Sequence, residues 1–359
     1  MKRITIKIGT RVLTDSRNRI DRSVIKGLSD QIASLMDRNV EVIVVSSGAI
    51  GSGLGLLKLQ KKQKSLSELQ AIASVGQNHL MDIYNECLKK KSYVAGQILL
   101  TQEDFNDRRR FLNIRYTINT LLKYKAVPVI NENDSVSTDE IKCGDNDRLS
   151  SLVADLANSD MLIILTDVEG LYDAEGNLVK RVEEITPKVK SLCWGKKCEI
   201  STGGMVTKLD AAKNATRSGI ECVIAKGRRK NVVLDIVSGK EVGTLFKAAE
   251  KRPKARKRWI AFSLKAKGKI VIDAGAVKAL VKQNRSLLPG GVIDVKGNFT
   301  DGAVVDVTGA SGRVIAKGIT NYSSSEVSKI KGMKTSQIEG VLGYKDYDEV
   351  IHRDNLVTI

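Results

Sequence analysis

The stretch Glu41-Val42-Ile43-Val44-Val45-Ser46-Ser47-Gly48-Ala49-Ile50-Gly51-Ser52-Gly53-Leu54-Gly55 decides the fold. Its first half is a short β-branched run that reads as a buried strand, and its second half is a glycine-rich turn. Comparable runs recur at residues 4–8, 94–99, 126–130, 161–166 and 221–225. Between them lie longer segments, such as 24–38 and 113–124, whose apolar residues return three and four apart as on one helix face. Over residues 1–246 this alternation predicts βαβ units around a mainly parallel sheet with helices on both faces, a three-layer αβα sandwich. Sheets of this kind bind ligands outside the carboxyl ends of their strands, where small residues let backbone N–H groups approach a phosphate or carboxylate.

A chain of 359 residues exceeds what one core usually organises, so two domains are expected. The stretch 247–258, rich in Lys and Arg and holding a proline, reads as a linker. Beyond it come short glycine-broken strands at 269–272, 291–295, 303–308 and 313–319, the pattern of a small β-rich barrel. Charge is uneven: the chain carries +18, and residues 251–359 hold 20 Lys and Arg against 10 Asp and Glu. Such a tail invites a polyanion, nucleic acid or an acidic surface. Apolar runs are too short to cross a bilayer, and residues 1–6 do not resemble a secretory signal, so a cytoplasmic location without membrane contact is expected. Five scattered cysteines, Cys87, Cys143, Cys193, Cys198 and Cys222, read as reduced thiols, since Cys193 and Cys198 have no second pair to complete a zinc site.

Neither G-x-x-x-x-G-K-[ST] nor G-x-G-x-x-G occurs, which argues against a P-loop NTPase and an ordinary dinucleotide dehydrogenase. Two polar clusters, Asn131-Glu132-Asn133-Asp134 and Gly144-Asp145-Asn146-Asp147, follow the strand at 126–130. Carboxylates so dense after a buried strand need a cation to answer them, or else they are Asx-turns with Asp147 as a helix N-cap. Ser201-Thr202-Gly203-Gly204-Met205-Val206-Thr207-Lys208 opens a helix whose apolar face is Met205, Leu209, Ala212 and Ala215, placing Lys208 in its first turn as a candidate phosphate clamp. With only His79 and His352 available, a histidine base is not the natural mechanism. A carboxylate acceptor, with a pKa near ~4.3, is already a nucleophile and asks only for positioning and charge neutralisation.

These segments, together with Lys7-Ile8-Gly9-Thr10, Leu165-Thr166-Asp167 and Gly170-Leu171-Tyr172, strongly resemble the amino acid kinase family. Ser286 to Val292 and Gly297 to Gly302 resemble the PUA domain. The resemblance implies the amino acid kinase fold with a PUA-like barrel, divided as kinase domain 1–246, linker 247–266, PUA-like domain 267–350 and tail 351–359. It implies a kinase that phosphorylates the γ-carboxylate of glutamate with ATP and Mg²⁺, the first step of proline synthesis. Carried over, Lys7 and Lys208 neutralise the transferring phosphoryl group and Asp147 orients them. Ser47, Asp134 and Asn146 hold glutamate. Lys7, Thr166, Asp167 and the run Thr202, Gly203, Gly204, Met205, Val206, Thr207 and Lys208 contact ATP, while Gly9 and Gly48 complete an anion hole. Magnesium is expected through the ATP phosphates rather than on protein ligands. Proline is the implied feedback inhibitor, and a dimer or tetramer the implied assembly. Arg11 departs from the family's usual Ser.

Two other readings compete. One is a different acceptor on the same fold, such as aspartate, acetylglutamate, carbamate or a nucleoside monophosphate. The other is an RNA-binding protein acting through the basic tail, for which base stacking would fall to Trp259, Phe299, Tyr322 and Tyr344.

Overall fold

The computed structural model describes residues 2–15, 19–59, 65–136, 145–192, 202–249, 260 and 266–358. Most of the basic stretch 247–258 lies outside them, as do Cys143, Gly144, Cys193, Cys198, Ser201 and Trp259. The chain divides into two units, Met1–Arg252 and Pro253–Ile359.

In the first unit the strands are Arg3–Ile8 (β1), Glu41–Ser46 (β2), Ala95–Leu100 (β3), Val127–Glu132 (β4), Met161–Thr166 (β5), Arg181–Val182 (β6), Glu221–Lys226 (β7) and Thr244–Phe246 (β8). They form one sheet in the order β3-β4-β2-β1-β5-β7-β8-β6. From β3 to β7 every pairing is parallel, whereas β8 pairs antiparallel with β7 and parallel with β6. The helices are Thr10–Leu13 (α1), Arg22–Asp37 (α2), Ala49–Leu56 (α3), Leu66–Lys89 (α4), Arg108–Lys123 (α5), Asp145–Leu156 (α6), Pro187–Ser191 (α7), Thr202–Arg217 (α8) and Val232–Val237 (α9).

Alternation along each strand sends successive side chains to opposite faces of the sheet. Ile163 and Leu165 of β5 join Ile4, Ile6 and Ile8 of β1 in a core with residues of α2, α4 and α9. Leu162 and Ile164 join Met205, Leu209, Ala212 and Ala215 of α8, and Ala154 of α6, in a second core on the other face. These are the three layers expected. Each fully buried aliphatic side chain contributes about 1.5–3 kcal/mol, and the central strands consist of little else. On β1 the exceptions are Arg3, Thr5 and Lys7, which lie on the face opposite the three isoleucines.

Helices α3 and α4 meet at two glycines. A Cβ on Gly76 would stand 1.8 Å from the Ala49 carbonyl oxygen, and one on Gly53 would stand 2.0 Å from that of Ile72. Only bare backbone fits, so α4 lies directly against the first turn of α3.

The second unit is a mixed sheet in the order β10-β9-β11-β12-β13. Its strands are Gly268–Ile272 (β9), Val292–Lys296 (β10), Val304–Gly309 (β11), Val314–Ile319 (β12) and Leu356–Thr358 (β13). Helices Ala274–Gln283 (α10), Ser324–Ile330 (α11) and Ile338–Leu342 (α12) accompany it. Its own core includes Ile270, Val305, Val307, Phe299 and Tyr322. Phe299 and Tyr322 are therefore packing residues and not base-stacking platforms, because each is needed to fill a small core. Tyr344 is exposed.

Candidate active site

Because β1, β2, β4 and β5 run parallel, their carboxyl ends share one edge of the sheet. The register sets Lys7 level with Val45 and Ile164, and Val45 level with Ile130. Lys7, Ser47, Asn131 and Thr166 are gathered at that edge by strand pairing alone.

Lys7 points from β1 toward α6 and α8. Its Nζ lies 2.6 Å from Asp147 Oδ1, with both side chains buried. Lys208 Nζ lies 3.2 Å from Asp147 Oδ2, and Thr207 Oγ1 donates to that same oxygen at 2.7 Å. One carboxylate on α6 thus holds two ammonium groups, one from β1 and one from α8. Asp147 is not an N-cap: α6 begins at Asp145, and the Asp147 carboxylate turns away from the helix end to meet the lysines. Lys208 sits in the second turn of α8 rather than its first, since the helix starts at Thr202. Side chains on a helix lean toward its N-terminus, so the Lys208 ammonium still returns to the helix start, donating to the Gly204 carbonyl at 3.0 Å.

Burial pushes the Lys7 ammonium below the ordinary lysine value, with Asp147 pulling it partly back. Burial alone would raise the Asp147 carboxyl, but Lys7 and Lys208 outweigh it and hold it below the ordinary aspartate value. Two ammonium groups thus face one carboxylate, a cluster with one formal positive charge in excess.

Beside it lies an amide relay. Asn146 Nδ2 donates to Ser47 Oγ at 2.9 Å and to Asn131 Oδ1 at 3.0 Å, and Asn131 Nδ2 donates to Gln77 Oε1 at 2.8 Å. Asp134 follows in the turn after β4 and is half-buried. Gly48 takes φ +99°, a left-handed conformation that turns the chain from β2 into α3 and that only glycine adopts freely. Gly9 departs from its expected role. Its N–H donates to the Leu165 carbonyl at 3.0 Å, extending the β1–β5 pairing, and is not a spare donor for an anion.

Thr166 ends β5, and its hydroxyl donates to Asp167 Oδ1 at 3.0 Å. Asp167 also pairs with Arg11 at 2.9 Å. Burial would raise the Asp167 carboxyl, yet the bonds from Arg11 and Thr166 hold it below its usual range. Thr202, Gly203, Gly204, Met205, Val206 and Thr207 form the first turns of α8. The Met205 side chain is not available to a nucleotide, because it is buried in the core shared with β5 and β7. Sequence reading did not single out Gln77, one glutamine inside a long helix, nor the Thr207 bond to Asp147.

The profile of the Amino acid kinase family matches residues 2–226, which contain every residue of this site. The chain belongs to the amino acid kinase family. That of the PUA domain matches residues 268–342, so this family member carries a second, separate module. Among relatives, the glutamate 5-kinase of Thermoanaerobacter sp. (strain X514) is 46% identical, the alignment covering 99% of this chain and 98% of that one. The glutamate 5-kinase of Caldanaerobacter subterraneus subsp. tengcongensis is 47% identical over the same shares. That of Moorella thermoacetica is 43% identical, covering 100% of this chain and 96% of its own. Among solved structures, a carbamate kinase from Giardia lamblia bound to citric acid is similar at TM-score 0.47 and 15% identity, covering 69% of this chain and 99% of that one. Among the described residues, no helix is long and apolar enough to cross a membrane.

Proposed function

We propose that this chain is a glutamate 5-kinase, transferring the γ-phosphoryl group of ATP to the γ-carboxylate of glutamate and releasing ADP and γ-glutamyl phosphate. The observation that carries this reading is the pair of lysines held by Asp147 beside the Asn146–Asn131 relay. A glutamate carboxylate oxygen attacks the γ-phosphorus while the bond to the β–γ bridging oxygen breaks. No general base is required, since the acceptor is already ionised. Lys7 and Lys208, approaching from β1 and α8, face the charge that develops on the phosphoryl oxygens, and this stabilisation is the largest part of such catalysis. Asp147 is a positioning residue that keeps both ammonium groups in place before substrate arrives. Ser47, Asn146 and Asp134 hold glutamate, and Thr166, Asp167 and the α8 N-terminus meet the nucleotide.

Mg²⁺ belongs to the same proposal as a companion of the ATP phosphates, where it would neutralise charge. Asp147 does not fit it as a ligand, because both carboxylate oxygens already face lysines. No step is assigned to the ion. The reading also carries competitive inhibition by proline and assembly into a dimer or tetramer, which inhibition kinetics against glutamate and sedimentation test directly. RNA binding as the main function is less favoured, since two of the four aromatic residues available for stacking are buried in the second core.

The decisive test is Mg-ATP turnover with glutamate, aspartate and acetylglutamate in the presence of hydroxylamine, for wild type and Lys208→Ala. Hydroxamate from glutamate alone, reduced at least about 100-fold in the variant, supports the reaction and the site. No hydroxamate from any acceptor overturns the reading.

A further inference from the structure

Two buried polar atoms of the amide relay have no hydrogen-bond partner among the described residues: Asn146 Oδ1 and Gln77 Nε2. Gln77 is 8% exposed and Asn131, which joins the two, is 2% exposed. The direction of the relay is not free to reverse. Asn131 Oδ1 also accepts the backbone N–H of Glu132 at 2.9 Å, and a backbone amide cannot exchange donor for acceptor. A flipped Asn131 would press its NH₂ against that N–H. Its oxygen therefore faces Glu132 and Asn146, and its nitrogen faces Gln77.

The neighbours follow from this. Asn146 must offer its nitrogen to Asn131 and keeps an unfilled acceptor. Gln77 must offer its oxygen and keeps an unfilled donor. Buried groups of either kind are costly to leave unmade. A lone carboxylate would fill only the donor, whereas the zwitterionic end of an α-amino acid fills both. Gln77 is also well placed for this task, since its neighbour Gly76 brings α4 against Ala49, the residue that follows Ser47 and Gly48.

We propose that Gln77 reads the α-carboxylate of the acceptor: its Nε2 donates to that carboxylate while Asn146 Oδ1 accepts from the α-ammonium, both amides being oriented through Asn131 by the Glu132 N–H. This assignment rests on glutamate being the acceptor. Gln77→Glu tests it, because a carboxylate still accepts from Asn131 but sets an acceptor where the donor stood. The variant is compared with wild type on glutamate and on isoglutamine, which keeps the reacting γ-carboxylate and replaces the α-carboxylate with an amide. The KM for glutamate should rise about 10- to 100-fold, with kcat at saturation and the KM for ATP unchanged. The KM for isoglutamine should stay level or fall, so the preference between the two acceptors collapses. Equal rises for both acceptors, or no rise for either, overturn the proposal. Should Gln77→Glu not fold, Gln77→Met removes the donor without adding charge, together with the acceptor that meets Asn131, so both KM values rise; a rise for glutamate no larger than that for isoglutamine overturns the proposal. A wild-type protein inactive on glutamate overturns the acceptor assignment and this proposal together; an active one with an unmoved ratio overturns this proposal alone.

Discussion

At the scale of single residues, the chemistry depends on a carboxylate whose removal leaves two lysines facing each other. Asp147→Ala strands the buried Lys7 ammonium without its partner, a loss of about 3–5 kcal/mol, read as a lower midpoint in denaturant unfolding. Asp147→Asn keeps the shape, so its thermal stability should fall less while phosphoryl transfer falls at least about 100-fold. The pH dependence follows from the two shifts. The folded-state value of Asp147 is depressed, so its stabilisation is complete above the ordinary aspartate value of 3.8 and is lost as pH falls through its lower folded value. Acid unfolding from this source thus begins only below that ordinary value. Lys7 is shifted downward from 10.5 by burial, so activity that needs its charge should decline on an alkaline limb below the ordinary lysine value. A pH profile of kcat/KM, which reports the free enzyme, with its alkaline limb at or above 10.5 would remove Lys7 from that role. Much of this site was legible: Lys7, Asn146, Asp147 and Lys208 stand in conspicuous polar or glycine-rich runs after strands. Gln77 was not, because what matters about it is a polarity imposed by one backbone N–H across three side chains.

Among the elements, the contact of α3 with α4 carries the most specific demand. Gly76→Ala would gain helix propensity of about 1 kcal/mol, yet its Cβ meets backbone at 1.8 Å, so the helices must part. Thermal melting should show net destabilisation of at least about 1–3 kcal/mol, with a raised KM for glutamate because Ser47 and Gly48 lie at the same turn. Helix α4 begins with a full capping box, Ser65 accepting from the Glu68 N–H and Glu68 from the Ser65 N–H. That signal stands in the sequence as Ser-x-x-Glu ahead of a long helix. The long strands β2 and β5 were read with their observed bounds. Strands β6, β8 and β13, two or three residues each, were not, for such short segments have no periodicity to detect and owe their pairing to longer neighbours.

For the whole molecule, each unit has its own hydrophobic core. A chain ending at residue 252 should therefore fold cooperatively and retain hydroxamate formation, with changed regulation; loss of turnover despite a native circular dichroism spectrum would assign the second unit a part in the chemistry. The second unit's contribution to polyanion binding is checked by RNA affinity against salt, where phosphate contacts predict a steep fall as salt rises. The three groups at the centre of the site stand at positions 7, 147 and 208, so they come together only when strands from opposite ends of the first unit have paired. Contacts of such long sequence separation form slowly, because loop closure must precede any gain from packing. During synthesis, residue 208 leaves the ribosome on the order of tens of seconds after residue 7. The emerging chain carries Lys7 without a carboxylate to receive it until residue 147 has followed, and without the second ammonium until residue 208 has. Catalytic competence thus arrives late and all at once, as a property of the finished sheet and of no fragment made before it.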